Sequence, residues 1–396
     1  MRQIILIKEE HKILTKNNYR VLHIFSSYGG GISSLVLNLT KNKSEDFIFD
    51  VMTFSYKNGE AFVEHIRKAG GEAYLMPRPR IDGYRIFKKF IDGVISENKY
   101  DAIHCHITGW HAIPFVKAAK KYGVEKFIFH AHTTRYDSRI DRIPIVSLFN
   151  KFFNYKNSST YMTCSDLAAK YIFGEKYLKK RKAFLIPNGL NEDLFSYALS
   201  DEQKKSYYQE FNISEISFVI GHVGRFSYPK NHLFMLEIMK KLKDNRRNCV
   251  LVFVGDGELL DSVRKRTETE NLSDYICFAG RRTDISALMQ FFDCMLLPSI
   301  CEGLPTVAVE CQATGTHMIL SDSITKQCDM DLDLLGFLPA NDVNLWVESL
   351  ENLSLNNHRN KSDCLAQIRS RGFTAKESGK KYCSLLKEII DNPINN

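Results

Sequence analysis

From residue 20 onward the chain alternates short, nearly continuous apolar runs with stretches whose apolar positions recur at helical spacing. A strand with one solvated face shows polar residues at every second position. Runs apolar throughout need cover on both faces, which helices on either side of a parallel sheet provide. The pattern therefore restricts the fold to α/β with parallel sheets. A first series of expected strands spans 20–25, 47–54, 72–76, 102–105, 126–131, 160–163 and 183–186. A second spans 218–223, 250–254, 275–278, 294–297, 318–320 and 336–338, with helices such as 230–243 and 304–314 between. Two doubly wound Rossmann-like domains result. We divide the chain into an N-terminal tail (1–18), a first domain (19–190), a second domain (191–372) and a C-terminal crossover helix (373–396). The junction falls between Pro187-Asn188-Gly189 and Ser200. No strand follows the amphipathic segment 373–390, so it is free to pack back on the first domain. Ligands of such sheets bind beyond the carboxyl ends of the strands. Two facing domains thus make a cleft for two substrates, an arrangement suited to group transfer.

A composition 44% hydrophobic and 25% charged excludes disorder and fibre. No apolar stretch approaches the roughly 18 residues that span a bilayer. Lys8, Glu9, Glu10, His11 and Lys12 stand where a signal peptide needs an apolar core, so a cytoplasmic protein is expected. The ten cysteines are scattered singly, without C-x-x-C and without ligand-like clustering with histidine. They read as buried thiols, and no metal site is expected. Charge is divided unevenly: residues 1–190 hold 31 Lys/Arg against 17 Asp/Glu, a net of +14, and residues 191–396 hold 23 against 29, a net of −6. Such asymmetry points the first half toward an anionic partner, nucleic acid or membrane, unless it is simply a solvated basic face.

Three segments carry the chemistry. Gly29-Gly30-Gly31 follows the first strand and opens a helix, a place where bare amides favour an anion. It lacks the spacing of a dinucleotide fingerprint, and no acidic residue ends the second strand as NAD binding requires. A plain tight turn is the alternative. Arg225 and Lys230 lie just beyond the first strand of the second domain, where two cations can converge on a diphosphate. In Pro298-Ser299-Ile300-Cys301-Glu302-Gly303-Leu304-Pro305-Thr306-Val307-Ala308-Val309-Glu310 two carboxylates stand eight residues apart, flanking an expected helix start with Pro305 at a tolerant position. A helical rise of roughly 1.5 Å per residue separates them by roughly 12 Å, the span between the sugar and the ribose of a nucleotide sugar. The amides of Gly303 and Leu304 would seek an anion between them.

These segments, with Ile186-Pro187-Asn188-Gly189-Leu190, Val254-Gly255-Asp256-Gly257-Glu258 and His130-Ala131-His132-Thr133-Thr134, resemble in kind and order those of family 4 retaining glycosyltransferases of the GT-B fold. The resemblance runs over nearly the whole chain from Arg20 and is nearest to the bacterial branch that builds exopolysaccharide, capsule or O-antigen. One departure is Ile32-Ser33-Ser34 after the glycines, where the family often continues Gly-Gly-Ala/Glu. The resemblance implies a hexosyltransferase taking a nucleotide-diphosphate sugar, with UDP expected, to a lipid-diphosphate-linked or growing glycan. Arg225 and Lys230, with Gly303 and Leu304, would hold the diphosphate. Glu310 would bind the ribose and Arg281 frame the base; Glu302 would orient the sugar; His132 would stand at the anomeric centre, acting through its imidazole or backbone carbonyl. Gly29, Gly30 and Gly31 would serve the acceptor or a phosphate. No carboxylate nucleophile is evident, so front-face attack within an ion pair is implied. No Asp-x-Asp motif ends a strand, so no cofactor and no metal are expected.

Two other readings are open to the sequence. A nucleotide-sugar epimerase could share the twin-domain frame. A nucleic-acid-binding protein could use the basic runs 117–121 and 179–182, although no aromatic-interleaved motif accompanies them. The same runs, with 135–142, Tyr136 and the aromatics of 149–153, instead suit peripheral attachment to the anionic inner face of the cell membrane. Which sugar is moved is not legible.

Overall fold

The computed structural model describes residues 18–57, 59–135, 139–245, 248–353 and 359–392. Residues 1–17 of the expected tail (1–18) and Tyr136 lie outside the described residues. The first sheet contains β1 (Tyr19–Ile24), β2 (Phe47–Thr53), β3 (Ala73–Leu75), β4 (Ala102–Cys105), β5 (Lys126–Ala131), β6 (Thr160–Thr163) and β7 (Ala183–Leu185). Its order is β3-β2-β1-β4-β5-β6-β7. The second contains β8 (Phe218–Val223), β9 (Cys249–Val254), β10 (Ile276–Gly280), β11 (Cys294–Leu297), β12 (His317–Ser321) and β13 (Leu335–Leu338), in the order β10-β9-β8-β11-β12-β13. Every strand pair in both sheets is parallel. All the expected runs are strands, five with the expected bounds and the rest displaced at their ends by one or two residues. The burial that suggested them is present: β2, β5 and β9 are buried along their whole length.

In each sheet the winding direction reverses beside the first strand, between β1 and β4 and between β8 and β11. Crevices open at these two points, beyond the carboxyl ends of the strands, and the motif-bearing loops leave from there.

The C-terminal helix, Ala375–Asp391, buries Tyr382, Cys383, Leu385 and Leu386 against Val21, Leu35, Phe47 and Phe49 of the first domain. Burying side chains of this size stabilises by roughly 1.5–3 kcal/mol each, enough to hold the crossover in place. The two chain crossings lie side by side. Leu190 N–H donates to the Phe373 carbonyl (2.8 Å), and Ala375 N–H donates to the Leu190 carbonyl (2.7 Å). A side chain on Gly189 would meet the Thr374 carbonyl oxygen at 2.3 Å, so only glycine fits between the strands of the crossover. Among the described residues no cysteine is in a disulfide. Among the described residues no helix is long and apolar enough to cross a membrane.

Two expected helices start late. The one placed at 230–243 is His232–Asp244, because Asn231 adopts a left-handed conformation (φ 57°, ψ 46°) after the 3-10 turn Tyr228–Lys230. The one placed at 304–314 is Thr306–Ala313, with Pro305 as its N-cap. A residue preceding proline is disfavoured in helical conformation, so Leu304 could not open it.

Candidate active site

A cavity of about 630 Å³ lies between the domains at the two crevices. The first domain contributes Gly31, His106, His130, His132, Arg135 and Asn188; the second contributes Gly224, Arg225, Lys230, Glu302 to Val307, and Glu310.

The first wall is made by the strand period. His104 and His106 stand two apart at the end of β4, and His130 and His132 two apart at the end of β5, so each pair shares one face of the sheet. His23 on β1 sits opposite His104 in the parallel register. The rings form a stack, with centroids 4.0 Å apart for His130 and His132 and 4.4 Å for His104 and His106. Burial pushes the His23 and His132 imidazoles down to about 3. It also holds His104, His106 and His130 well below the ordinary value, helped by the neighbouring rings. All are neutral imidazoles at neutral pH. In two triplets, His23/His104/His106 and His106/His130/His132, ring nitrogens lie within 4.8 Å of one another. That spacing is compatible with a metal ion, and cysteine spacing gave no sign of it. In the structure most of these nitrogens are hydrogen-bonded to one another.

The second wall is charged. Lys230 Nζ lies 2.6 Å from Glu302 Oε1, and both side chains are largely buried. The separate tasks expected for these residues therefore begin from a shared ion pair. Arg225 is exposed and pairs with Glu258 at 3.2 Å. Arg135 crosses from the first domain to lie over the Tyr228 ring, 5.3 Å from its centroid. Of the nine residues from Glu302 to Glu310, only those from Thr306 onward are helical. Helical rise over eight residues therefore does not set their separation, although both carboxylates line the same cavity. The unbonded amides of the helix mouth are likewise those of Thr306 and Val307, with Gly303 and Leu304 standing ahead of it in the loop. Burial pushes the Glu310 carboxyl up to about 7, against a smaller opposing pull from Lys230.

Direct contacts clamp the two walls. Thr134 donates to the Glu302 carbonyl (3.0 Å), Ser165 to the Gly303 carbonyl (2.5 Å), and the Asp166 amide to Gln327 Oε1 (2.7 Å). A side chain on Gly303 would strike the His132 carbonyl oxygen at 2.0 Å. That carbonyl packs on the loop, so of the two groups proposed for His132 the imidazole is the one left to the cleft. Arg281 lines an adjoining cavity of about 420 Å³ with Gly29, Arg225, Gly255, Asp256 and Gly257. The glycine segment thus bridges both cavities, Gly29 in one and Gly31 in the other, while Gly30 serves as N-cap of the helix Gly31–Lys41. Asn188 is tied to this helix through Asn38 (3.2 Å) and the Gly31 carbonyl (3.3 Å).

Residues 203–362 match the family model described as glycosyl transferases group 1, and residues 29–194 match that of Glycosyltransferase Family 4. The putative glycosyltransferase EpsF of Bacillus subtilis is 31% identical over 350 residues, covering 85% of this chain and 88% of that protein. The chain belongs to the family 4 glycosyltransferases. Membership places this enzyme among transferases rather than epimerases or nucleic-acid-binding proteins. An Escherichia coli UDP-Gal:α-D-GlcNAc-diphosphoundecaprenol α-1,3-galactosyltransferase is 27% identical over 262 residues, 65% of this chain and 67% of that protein. The crystal structure of Anabaena HepE in complex with UDP superposes with a TM-score of 0.74 at 14% identity, covering 93% of this chain and all of that one. The glycosyltransferase has the GT-B fold.

Proposed function

We propose that this glycosyltransferase moves a hexosyl unit from a UDP-sugar to a lipid-diphosphate-linked glycan, with retention, in the synthesis of a bacterial surface polysaccharide. The observation that carries the reading is the convergence of Arg225, Lys230 and the Thr306 helix mouth on one side of a cavity whose other side is neutral imidazole. Cations and a helix N-terminus stabilise the charge that grows on a leaving diphosphate. Arg225 and Lys230 hold it, with Lys230 exchanging Glu302 for phosphate oxygen. Glu310 then receives the ribose, Arg281 the base, and Glu302, Gly303 and Leu304 the sugar, beside the His132 imidazole. Among the described residues the first domain puts no carboxylate on the cavity. This favours front-face attack in an ion pair over double displacement, and the side-chain cations take the part a metal plays elsewhere.

The acceptor reading draws on the galactosyltransferase relative, which acts on a diphosphoundecaprenol-linked sugar, and on the first domain itself. A second cavity of about 800 Å³, lined by Phe54, Tyr84, Phe87, Trp110, Ile113 and Phe115, shares His106 and Thr108 with the donor cavity. Nearby, the helix Pro144–Asn157 exposes Ile145, Leu148, Phe149 and Phe152. Apolar residues beside Arg139, Arg142 and Lys151 suit an anionic leaflet. Phe153 packs into the core and contributes nothing to that surface. Arg181 is also withdrawn from it, its guanidinium held by the Tyr155 and Ser158 carbonyls.

Screening nucleotide sugars for diphosphate release with a lipid-diphosphate-linked acceptor tests the reading. One UDP-sugar should be consumed rapidly only when acceptor is present. Turnover of a donor to an isomer without acceptor would contradict it.

A further inference from the structure

The histidines of the first wall do not end at the cleft. His132 Nε2 lies 2.7 Å from His106 Nδ1, and His106 Nε2 lies 3.3 Å from His23 Nδ1. His23 Nε2 lies 3.3 Å from the Tyr382 hydroxyl, which lies 2.5 Å from His104 Nδ1. His104 Nε2 in turn lies 3.1 Å from His130 Nδ1. Six groups form one unbranched chain, and Tyr382, from the C-terminal helix, is its central link.

A neutral imidazole donates at one nitrogen and accepts at the other, and a single hydroxyl proton serves one neighbour. The hydroxyl oxygen could accept from both neighbours, but its own buried proton would then have no place in the chain; when that proton is donated, each link dictates the next, and two arrangements satisfy the whole chain. If donation runs from His132 toward His130, it ends on His130 Nε2–H, a buried donor without a partner among the described residues. If it runs the other way, His130 Nε2 is a bare lone pair and the surplus N–H stands on His132 Nδ1. Buried donors without partners are rarer than buried acceptors, which selects the second arrangement. His132 lines the donor cavity, and Nδ1 is the ring nitrogen the chain leaves unused.

We infer that Tyr382 is a positioning residue that locks the histidine chain in one proton arrangement and so presents His132 to the cleft as an Nδ1–H donor. This rests on the proposed place of His132 at the transferred sugar, where an N–H would bond a sugar or acceptor oxygen. A purely structural Tyr382 would be replaceable by phenylalanine, because the ring already packs against Phe49 and His23 (centroids 5.7 and 5.9 Å). Only the hydroxyl joins the two halves of the chain.

Long-range ¹H–¹⁵N correlation spectra of the full chain labelled at histidine read the tautomers directly. The wild type should show His132 protonated at Nδ1 alone. Tyr382→Phe should leave His23 and His104 averaging between tautomers and lower kcat by about tenfold, with little change in KM for the donor. A wild-type His132 protonated at Nε2, or a spectrum unmoved by Tyr382→Phe, overturns the inference, and the wild-type arm needs no variant to fold. A shifted spectrum with unchanged kcat also overturns it, provided His132→Ala does lower kcat. If His132→Ala leaves kcat intact, the role given to His132 in transfer is what fails, and the tautomer lock is judged on the spectrum.

Discussion

The first wall of the cleft presents neutral imidazoles backed by His23 and Tyr382, whereas the second presents Lys230, Arg225, Glu302 and Glu310 around a helix mouth. Both walls sit at the same place in the same kind of sheet, beyond the central strands where the winding reverses. The difference follows the charge each must meet. A departing diphosphate gains negative charge and calls for cations. The sugar carbon it leaves gains positive charge, which a histidinium would oppose and a neutral ring does not. On the proposed reading, the burial that drives His132 down to about 3 serves transfer on this wall, and the ion pairing that holds Lys230 serves it on the other.

The largest effect should come from breaking the second wall. Lys230→Ala removes a charge-assisted contact to the diphosphate and strands Glu302, so turnover should fall about hundredfold. Glu302→Ala should also lower turnover, yet the double variant should lose less than the product of the two, because the partners share one contact. Strict additivity in steady-state kinetics would show that the two act independently. Arg225→Ala should weaken nucleoside diphosphate binding by a smaller factor, about tenfold, since its guanidinium is exposed and, among the described residues, pairs with Glu258 alone.

A subtler contrast lies in pH. Burial raises the Glu310 carboxyl from its ordinary value of 4.5 to about 7. Folding thus favours its protonated form: the associated stability is complete below the unfolded value and is lost as pH rises through about 7. Glu310→Gln should raise Tm relative to wild type more at alkaline than at acidic pH, and should flatten the dependence of nucleotide-sugar affinity across that range. A Tm difference independent of pH would remove Glu310 as the titrating group. The smallest effects should come from outside the cleft. EDTA should leave turnover unchanged, and complete loss restored by Mg²⁺ would contradict side-chain neutralisation of the diphosphate. Reversing the charges of Lys179, Lys180 and Lys182 should weaken binding to anionic vesicles while leaving transfer to a soluble acceptor intact.

Much of this was legible because the fold is written in local patterns. The apolar runs marked every strand, whereas of the histidines at the ends of β4 and β5 only His132 was singled out, and that through the family resemblance alone. Where the reading slipped, a local rule had been overlooked: Leu304 precedes a proline, so the helix starts at Thr306 and the Glu302–Glu310 spacing is not helical. Long-range pairings had no local signal. The 2.6 Å contact of Lys230 with Glu302 spans 72 residues, and that of Tyr382 with His23 spans 359. Arg181 likewise read as part of a basic run until Tyr155 and Ser158 were seen to hold it.

The claim that the second wall holds the diphosphate while the first acts on the transferred sugar is tested most directly by measuring UDP affinity calorimetrically alongside turnover in His132→Ala and Lys230→Ala. His132→Ala should lower turnover by at least about tenfold with UDP affinity nearly unchanged, and Lys230→Ala should lose both. UDP affinity that falls with His132→Ala and survives Lys230→Ala would contradict the division of the site.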